Sequence, residues 1–505
     1  MDQIGPISLN PASTDPLYRQ LFDSIAGRIE NGALSAGHRL PPTRHLAGEI
    51  GTHRNTVVRA YRALEEAGFV VSTVGRGTFV RDVPAAGDTR ERPAAGGIAW
   101  ASLFSEASGA ESLGRAERLL RGGVAPAGVL NLARMEPAAD LMATDQLKRC
   151  LDHVLRTQGP RALGYAPRGG VPRLQTLIAE DLLRNGVSAQ TGDIQVTSGS
   201  QQGLDLLARV LCDPGDAVIV NASTYAGALH VLQAAGVRLI SVPNDDEGPS
   251  MVAMQRLAHS GAKAVYLMPG CQNPTGMCIS QRRRAALVQW SQHSGVPLIE
   301  DDYVSDLHLD DAAPPAPMRA LDGDVIYIGT YSKKLIPALR VGYVVAPPAL
   351  RTRLELMKKT MDLGTSALMQ HALAEFLERG YLRAHLARIV PEYRARRGAL
   401  EEGLREHLPP QLQPRRPIAG LILWLPLPQQ LDPELVYDRC LRAGVLVMPS
   451  TMMRVGEGDE HGIRLAFCAE SEARLREGGV RVGKVLRELL ANETAEERPQ
   501  RMEVI

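Results

Sequence analysis

Residues 325–347 read VIYIGTYSKKLIPALRVGYVVAP, and the alternation within this stretch decides the fold of the larger part of the chain. An apolar run, Val325-Ile326-Tyr327-Ile328, leads into Thr330-Tyr331-Ser332-Lys333. Arg340 follows seven residues after Lys333, and a second apolar run begins at Val341. Two buried strands flanking a polar loop are expected. That loop offers an amine able to condense with an aldehyde, at Lys333, and donors suited to a phosphate, at Thr330, Ser332 and Arg340.

Outward from this stretch, apolar runs alternate with helical patterns from Leu130 onward, including residues 217–220, 239–242, 264–268, 297–299 and 341–346. This is the pattern of an α/β fold with a mostly parallel sheet covered by helices, where ligands sit beyond the carboxyl ends of the strands. The residues just past each run therefore matter most. After Val196, Thr197-Ser198-Gly199-Ser200-Gln201 opens a helix whose first amides can cradle an anion. Tyr225 follows the 217–220 run and can stack on a ring. Past residue 268, Pro269-Gly270-Cys271-Gln272-Asn273-Pro274-Thr275-Gly276 presents the Asn273 amide, and Glu300-Asp301-Asp302-Tyr303 sets carboxylates and a phenol at a strand end. These parts fit one molecule, pyridoxal phosphate. Lys333 supplies the amine, Asp301 the partner of the ring nitrogen, and Asn273 and Tyr303 the contacts to the phenolate oxygen. Ser200, Gln201, Ser332 and Arg340 form the phosphate cup.

The whole chain sets bounds on this reading. At 505 residues it exceeds one ordinary core. Its 57 Lys+Arg against 56 Asp+Glu give a net charge of +1, so any nucleic-acid signal is local. Cys150, Cys212, Cys271, Cys278, Cys440 and Cys468 form no C-x-x-C, and no H-E-x-x-H occurs, which argues against structural metal and for a reducing compartment. The first residues, MDQIGPISLNPAS, lack a basic segment followed by an apolar one, and no apolar stretch is long enough to cross a bilayer. A cytoplasmic protein without a membrane partner is expected.

The local basic signal lies at the front. Leu17, Leu21, Ile25 and Ile29 recur every four residues after Asp15-Pro16, which predicts a helix ending at Asn31-Gly32. A short helix after Pro41-Pro42 buries Leu46 and Ile50, and a third, from about Thr52 to Ala67, is expected to place Val57, Val58, Tyr61 and Leu64 on one side. Arg54, Asn55, Thr56, Arg59 and Arg62 are left to reach out. Residues 69–71 and 78–80 then read as a hairpin with Gly75-Arg76-Gly77 at its tip. Between Pro16 and Asp82 there are nine arginines, no lysines and six acidic residues, a net of +3. The arginines cluster where groove insertion and phosphate contact need them.

The blocks Leu40-Pro41-Pro42-Thr43-Arg44-His45-Leu46-Ala47, Gly51-Thr52-His53-Arg54-Asn55-Thr56-Val57, Leu64-Glu65-Glu66-Ala67-Gly68 and Gly75-Arg76-Gly77-Thr78-Phe79-Val80 resemble, in order, the GntR-type winged helix-turn-helix. The resemblance implies DNA contacts by Arg44, Arg54, Thr56 and Arg59, with Arg76 in the wing. Residues 83–127, small, charged and rich in proline and glycine, read as a flexible linker.

The remainder resembles the fold-type I aminotransferases. Gly164-Tyr165-Ala166-Pro167-Arg168-Gly169-Gly170 is similar to that family's tyrosine-bearing segment near the dimer interface, and Asn273-Pro274-Thr275-Gly276 to its asparagine loop. Ser332-Lys333 is similar to its Schiff-base site, and Ile463-Arg464-Leu465-Ala466-Phe467 to the strand whose arginine holds a substrate carboxylate. The resemblance selects Lys333 over the neighbouring Lys334. Asp301 and Tyr303 are two apart where the family often has three, which leaves Asp302 as an alternative partner for the ring nitrogen.

From end to end the chain resembles the MocR/GabR regulators. The expected organisation is a winged helix-turn-helix at 1–82, a linker at 83–127, an aminotransferase-like domain at 128–490 with a small C-terminal α/β part, and a polar tail at 491–505. The resemblance implies a head-to-tail homodimer on double-stranded promoter DNA. It further implies that the protein senses pyridoxal phosphate, a small carboxylate-bearing amino compound, or both, through a Schiff base at Lys333, with Arg464 and Tyr165 meeting that compound. The alternative is a working aminotransferase with an accessory DNA-binding domain.

Overall fold

The computed structural model describes residues 9, 16–30, 34, 37–73, 77–81, 128–304, 306–311, 313–456 and 460–496. The chain divides into two units, Met1–Ser102 and Leu103–Ile505.

In the first unit, helices α1 (Leu17–Glu30), α2 (Thr43–Glu49) and α3 (Arg54–Glu66) precede a hairpin of strands β1 (Val70–Thr73) and β2 (Gly77–Val80), paired antiparallel with Val70 opposite Val80. Leu21 and Ile25 of α1, Leu46 of α2, Val57, Ala60, Tyr61 and Leu64 of α3, and Val70 and Val80 close one small core. Val58 does not join it. At about 100° per residue the buried stripe of α3 runs through 57, 60, 61 and 64, and Val58 is 42% exposed. Tyr61 anchors the turn before α2 through its hydroxyl, which donates to the Pro41 carbonyl at 2.9 Å.

In the second unit, strand β3 (Leu130–Asn131) comes first. A seven-stranded sheet follows, made of β4 (Ile194–Thr197), β5 (Ala217–Asn221), β6 (Arg238–Val242), β7 (Ala264–Leu267), β8 (Leu298–Asp302), β9 (Ile326–Thr330) and β10 (Gly342–Val345), in the spatial order β4-β10-β9-β8-β7-β5-β6. Only β10 runs antiparallel to its neighbours. Helices α4 (Ser200–Leu211) and α5 (Ala226–Ala234) connect strands on one face. Both faces are covered, so the strands are apolar runs: Val218, Val220, Ile299, Ile328 and Val344 enter one core, and Ile219, Val265 and Leu298 another. Burying each such side chain contributes roughly 1.5–3 kcal/mol.

The C-terminal part pairs strands β11 (Ile422–Pro426), β13 (Gly462–Ala466) and β12 (Met448–Pro449) antiparallel, with β13 central. Helix α6 (Tyr381–His407) lies against helix α7 (Glu472–Glu496). Their backbones approach closely, since a Cβ added at Gly403 would stand 2.1 Å from the Arg476 carbonyl oxygen. Helix α7 runs to Glu496, into the stretch read as a polar tail. The linker, residues 83–127, lies outside the described residues. Among the described residues no helix is long and apolar enough to cross a membrane, no acidic, histidine or cysteine group could hold a metal, and all six cysteines are free.

Candidate functional site

The parallel strands β4, β5, β7, β8 and β9 end on one edge of the sheet, where antiparallel β10 begins. Thr330 closes β9, and its Oγ1 accepts from the Ser332 amide at 3.2 Å, turning the chain sharply. Lys333 and Lys334 then part company. Lys333 Nζ donates to the Met135 carbonyl at 2.7 Å, and burial pulls its pKa below the ordinary lysine value. Lys334 Nζ is buried in an ion pair with Asp306 beside the Tyr331 ring, and these charged partners hold its proton.

Strand β8 sorts its acids in the same way. Side chains alternate along a strand, so Asp301 and Tyr303 share one face while Glu300 and Asp302 share the other. Asp301 Oδ2 accepts from Tyr266 Oη at 2.6 Å, while Asp302 Oδ2 accepts from Tyr327 Oη at 2.8 Å. Tyr225 has Asp301, Arg464 and Arg340 as charged neighbours, and Lys333 also neighbours Arg464 and Arg340. Asp302 instead neighbours Asp306, Lys334 and Arg284. Burial pushes the Asp301 carboxyl up to about 7, against the pull of the Tyr266 hydrogen bond.

An anion cradle forms where β4 meets α4. Gly199 precedes the helix at φ 93° and carries no side chain to cap it, so the first-turn amides at Ser200 and Gln201 face outward. Arg340, itself in the left-handed region at φ 48°, donates to the Ser198 carbonyl at 2.6 Å. Its guanidinium lies so close over Gly199 that a Cβ there would come within 3.0 Å. Gln201 Nε2 is committed to the Gly227 carbonyl at 2.8 Å, so Gln201 serves an anion through its backbone rather than its side chain. Tyr225 caps α5 with its ring over Gly227.

Asn273 and Arg464 meet at the other side. Arg464 Nη1 donates to Asn273 Oδ1 at 2.9 Å and Nη2 to the Ala133 carbonyl at 2.7 Å; burial draws its pKa down to about 10. Asn273 Nδ2 reaches Met135 Sδ at 3.6 Å. The strap from Ala133 to Met135 thus touches Lys333, Asn273 and Arg464 together.

Several buried polar atoms on this edge have no hydrogen-bond partner: Asp301 Oδ1, Tyr303 Oη, Ser332 Oγ and Arg464 Nε among them. The Cys271 thiol beside Tyr303 Oη is a weak partner. Buried polar groups are normally satisfied, and this set combines an acceptor, hydroxyls and a guanidinium around a lysine and an anion cradle. It fits pyridoxal phosphate.

Not every expected residue converges. Tyr165 is 85% exposed and lines a surface cleft with Leu163, Gly364 and Thr365, and among the described residues it makes no hydrogen bond to the other expected site residues. In the first unit, Arg44 and Arg54 are exposed on α2 and at the start of α3, and Thr56 is half-buried. Arg59 is exposed but lies flat on Tyr18, 3.8 Å from the ring centroid, so part of its reach is already spoken for. Arg76 falls outside the described residues. Sequence reasoning missed Tyr266, hidden inside an apolar run, and the strap carbonyls, which no side-chain pattern announces.

Both units match known families. Residues 128–481 match the family described as "Aminotransferase class I and II", and residues 17–80 match "Bacterial regulatory proteins, gntR family". The probable rhizopine catabolism regulatory protein MocR of Rhizobium meliloti is 31% identical over 92% of each chain. The 2-aminoadipate transaminase of Thermus thermophilus is 31% identical over 78% of this chain and 99% of its own. The crystal structure of LysN, the alpha-aminoadipate aminotransferase of that organism complexed with N-(5'-phosphopyridoxyl)-L-leucine, superposes with a TM-score of 0.71 at 30% identity. It covers 78% of this chain and 100% of its own. Pyridoxal phosphate is the cofactor of this fold family. The chain belongs to the MocR-type family, in which a gntR-family DNA-binding domain precedes a class I and II aminotransferase domain.

Proposed function

We propose that the protein is a pyridoxal phosphate-dependent transcription regulator that holds its cofactor at Lys333 and responds to an amino compound bearing a carboxylate. One observation carries the reading: a single chain joins a winged helix-turn-helix with exposed Arg44 and Arg54 to a unit in which Lys333, Asn273 and Arg464 meet on one strap. The bound cofactor supplies an aldehyde that condenses with amines and a ring that draws electrons. The chain's residues do the rest. Lys333, made less basic by burial, holds a larger share of unprotonated amine than an exposed lysine would. Asp301, through its unpartnered Oδ1, would hold the ring nitrogen, while Asp302 serves the Lys334 cluster. Tyr303 and Asn273 would hold the phenolate oxygen, and Tyr225 would stack on the ring. Ser200, Ser332, Arg340 and the first amides of α4, that of Gln201 included, take the phosphate. Arg464 exchanges the Ala133 carbonyl for the carboxylate of the amino compound, a better match for its planar fork. Arg44, Arg54, Thr56, Arg59 and Arg76 meet promoter DNA. A head-to-tail homodimer, with the exposed Tyr165 at the shared surface, completes the proposal.

A second reading, a working aminotransferase, is favoured by the full set of Lys333, Asp301, Asn273, Tyr303 and Arg464. One experiment separates the two. Binding to the DNA upstream of the protein's own gene is measured without pyridoxal phosphate, with it, and with it plus a panel of amino acids and amines, while visible absorbance is followed. A change in occupancy or footprint that tracks the absorbance supports the regulator. Repeated amino-group transfer with no DNA binding supports the enzyme.

A further inference from the structure

Strand β7 is apolar except for one phenol at its centre. Tyr266 is wholly buried between β5 and β8, and its hydroxyl donates to Asp301 Oδ2 at 2.6 Å. That distance lies in the range of hydrogen bonds to an ionised oxygen, roughly 2.5–2.7 Å. The other carboxylate oxygen, Oδ1, is buried and has no partner. A carboxylate at a strand end could turn about its side-chain torsions and offer either oxygen; here one oxygen is taken from behind.

We propose that Tyr266 is a positioning residue for the cofactor: by occupying Asp301 Oδ2 it fixes the carboxylate and leaves Oδ1 as the single acceptor presented to the ring nitrogen. This rests on the reading of Asp301 given above. The hydroxyl also opposes the effect of burial, which raises the Asp301 pKa. Tyr266 would thereby favour the ionised Asp301 carboxylate, the form able to accept from a protonated ring nitrogen, and its loss would favour the protonated carboxyl. No other described side chain donates to Asp301: Tyr303 and Tyr225 are electrostatic neighbours only.

The test is a double-mutant cycle on pyridoxal phosphate binding, with the dissociation constant and visible spectrum read on the full-length protein and folding checked by thermal melting. Tyr266→Phe is expected to raise the dissociation constant about tenfold, the loss of one charge-assisted hydrogen bond's worth of positioning, and to shift the absorbance of bound cofactor. In an Asp301→Ala background the same substitution is expected to change the constant less than about twofold. Equal effects in both backgrounds, or none in the wild-type background, overturn the inference. If Asp301→Ala itself leaves affinity and spectrum unchanged, the reading of Asp301 falls and takes this one with it. Should Tyr266→Phe not fold, 3-fluorotyrosine at position 266 keeps the shape and strengthens the donor. It is expected to tighten binding, and an unchanged constant overturns the inference.

Discussion

Lys333 and Lys334 are adjacent in sequence and serve separate clusters: Lys333 Nζ meets the Met135 carbonyl at 2.7 Å, and Lys334 Nζ pairs with Asp306. Their substitutions should therefore differ in kind. Lys333→Ala is expected to abolish the visible absorbance of bound cofactor with little loss of stability. Lys334→Ala leaves Asp306 buried without its counter-ion and is expected to cost about 3–5 kcal/mol, while the folded fraction still binds cofactor. Denaturant melts and absorbance spectra on both variants check this.

Arg464 makes two hydrogen bonds to Asn273 and Ala133 and would make its ligand contact through the same guanidinium. Arg464→Ala is expected to weaken carboxylate-bearing amino compounds by about 10–100-fold and to leave the corresponding amines without a carboxylate nearly unaffected. Titration of paired ligands followed by absorbance reads the difference. Equal losses for both members of a pair would remove Arg464 from ligand recognition.

Arg54 is exposed at the first position of α3. Arg54→Ala is expected to weaken DNA binding and to lower the slope of log affinity against log salt by about 1, the signature of one lost phosphate contact. The cofactor spectrum should not change. Affinity measured at several salt concentrations is the check.

Asp301 has its folded-state pKa raised to about 7 by burial. A carboxyl raised in this way holds its proton more tightly folded than unfolded, so the cofactor-free fold loses stability as pH rises from the unfolded value, about 4, toward the folded one. Asp301→Asn removes that loss. It is expected to stabilise the cofactor-free protein more at pH 8 than at pH 5, by a difference on the order of 1–3 kcal/mol. Thermal or urea melts at the two pH values decide it.

Much of this site was legible in the sequence because its residues stand just past apolar runs, where the chain leaves the sheet. Lys333, Asn273 and Ser200 were picked out as candidates that way. Periodicity did less where the answer depended on a half-turn or on contacts between distant strands. Val58 looked buried because it adjoins Val57, but a helix rotates neighbours apart. Choosing between Asp301 and Asp302 required knowing which face of β8 each occupies, and the strand includes both rather than ending before them. Tyr266 was indistinguishable from the valine and leucine around it until β7 and β8 were seen side by side. The Met135 and Ala133 carbonyls belong to the backbone, which every residue carries, so no composition could mark them.

The alternation along β8 has one more consequence. The strand sits between two parallel neighbours, and both of its faces carry acids. A slip of one residue that carried Glu300 into the place of Asp301 would carry Asp301 into that of Asp302, beside the Lys334 cluster, acid for acid, so charge alone proofreads poorly against that misregistration. Glu300 supplies the missing check. Its two oxygens accept from the Met318 and Arg319 amides at 3.0 and 2.9 Å, closing the start of the helix Met318–Leu321. In that slipped strand Ile299 would stand in the place of Glu300, and those amides would lose their acceptor. Glu300, which makes no contact with Lys333 or Tyr266 among the hydrogen bonds of the strand, thus acts as the assembly gauge that keeps Asp301 opposite Tyr266.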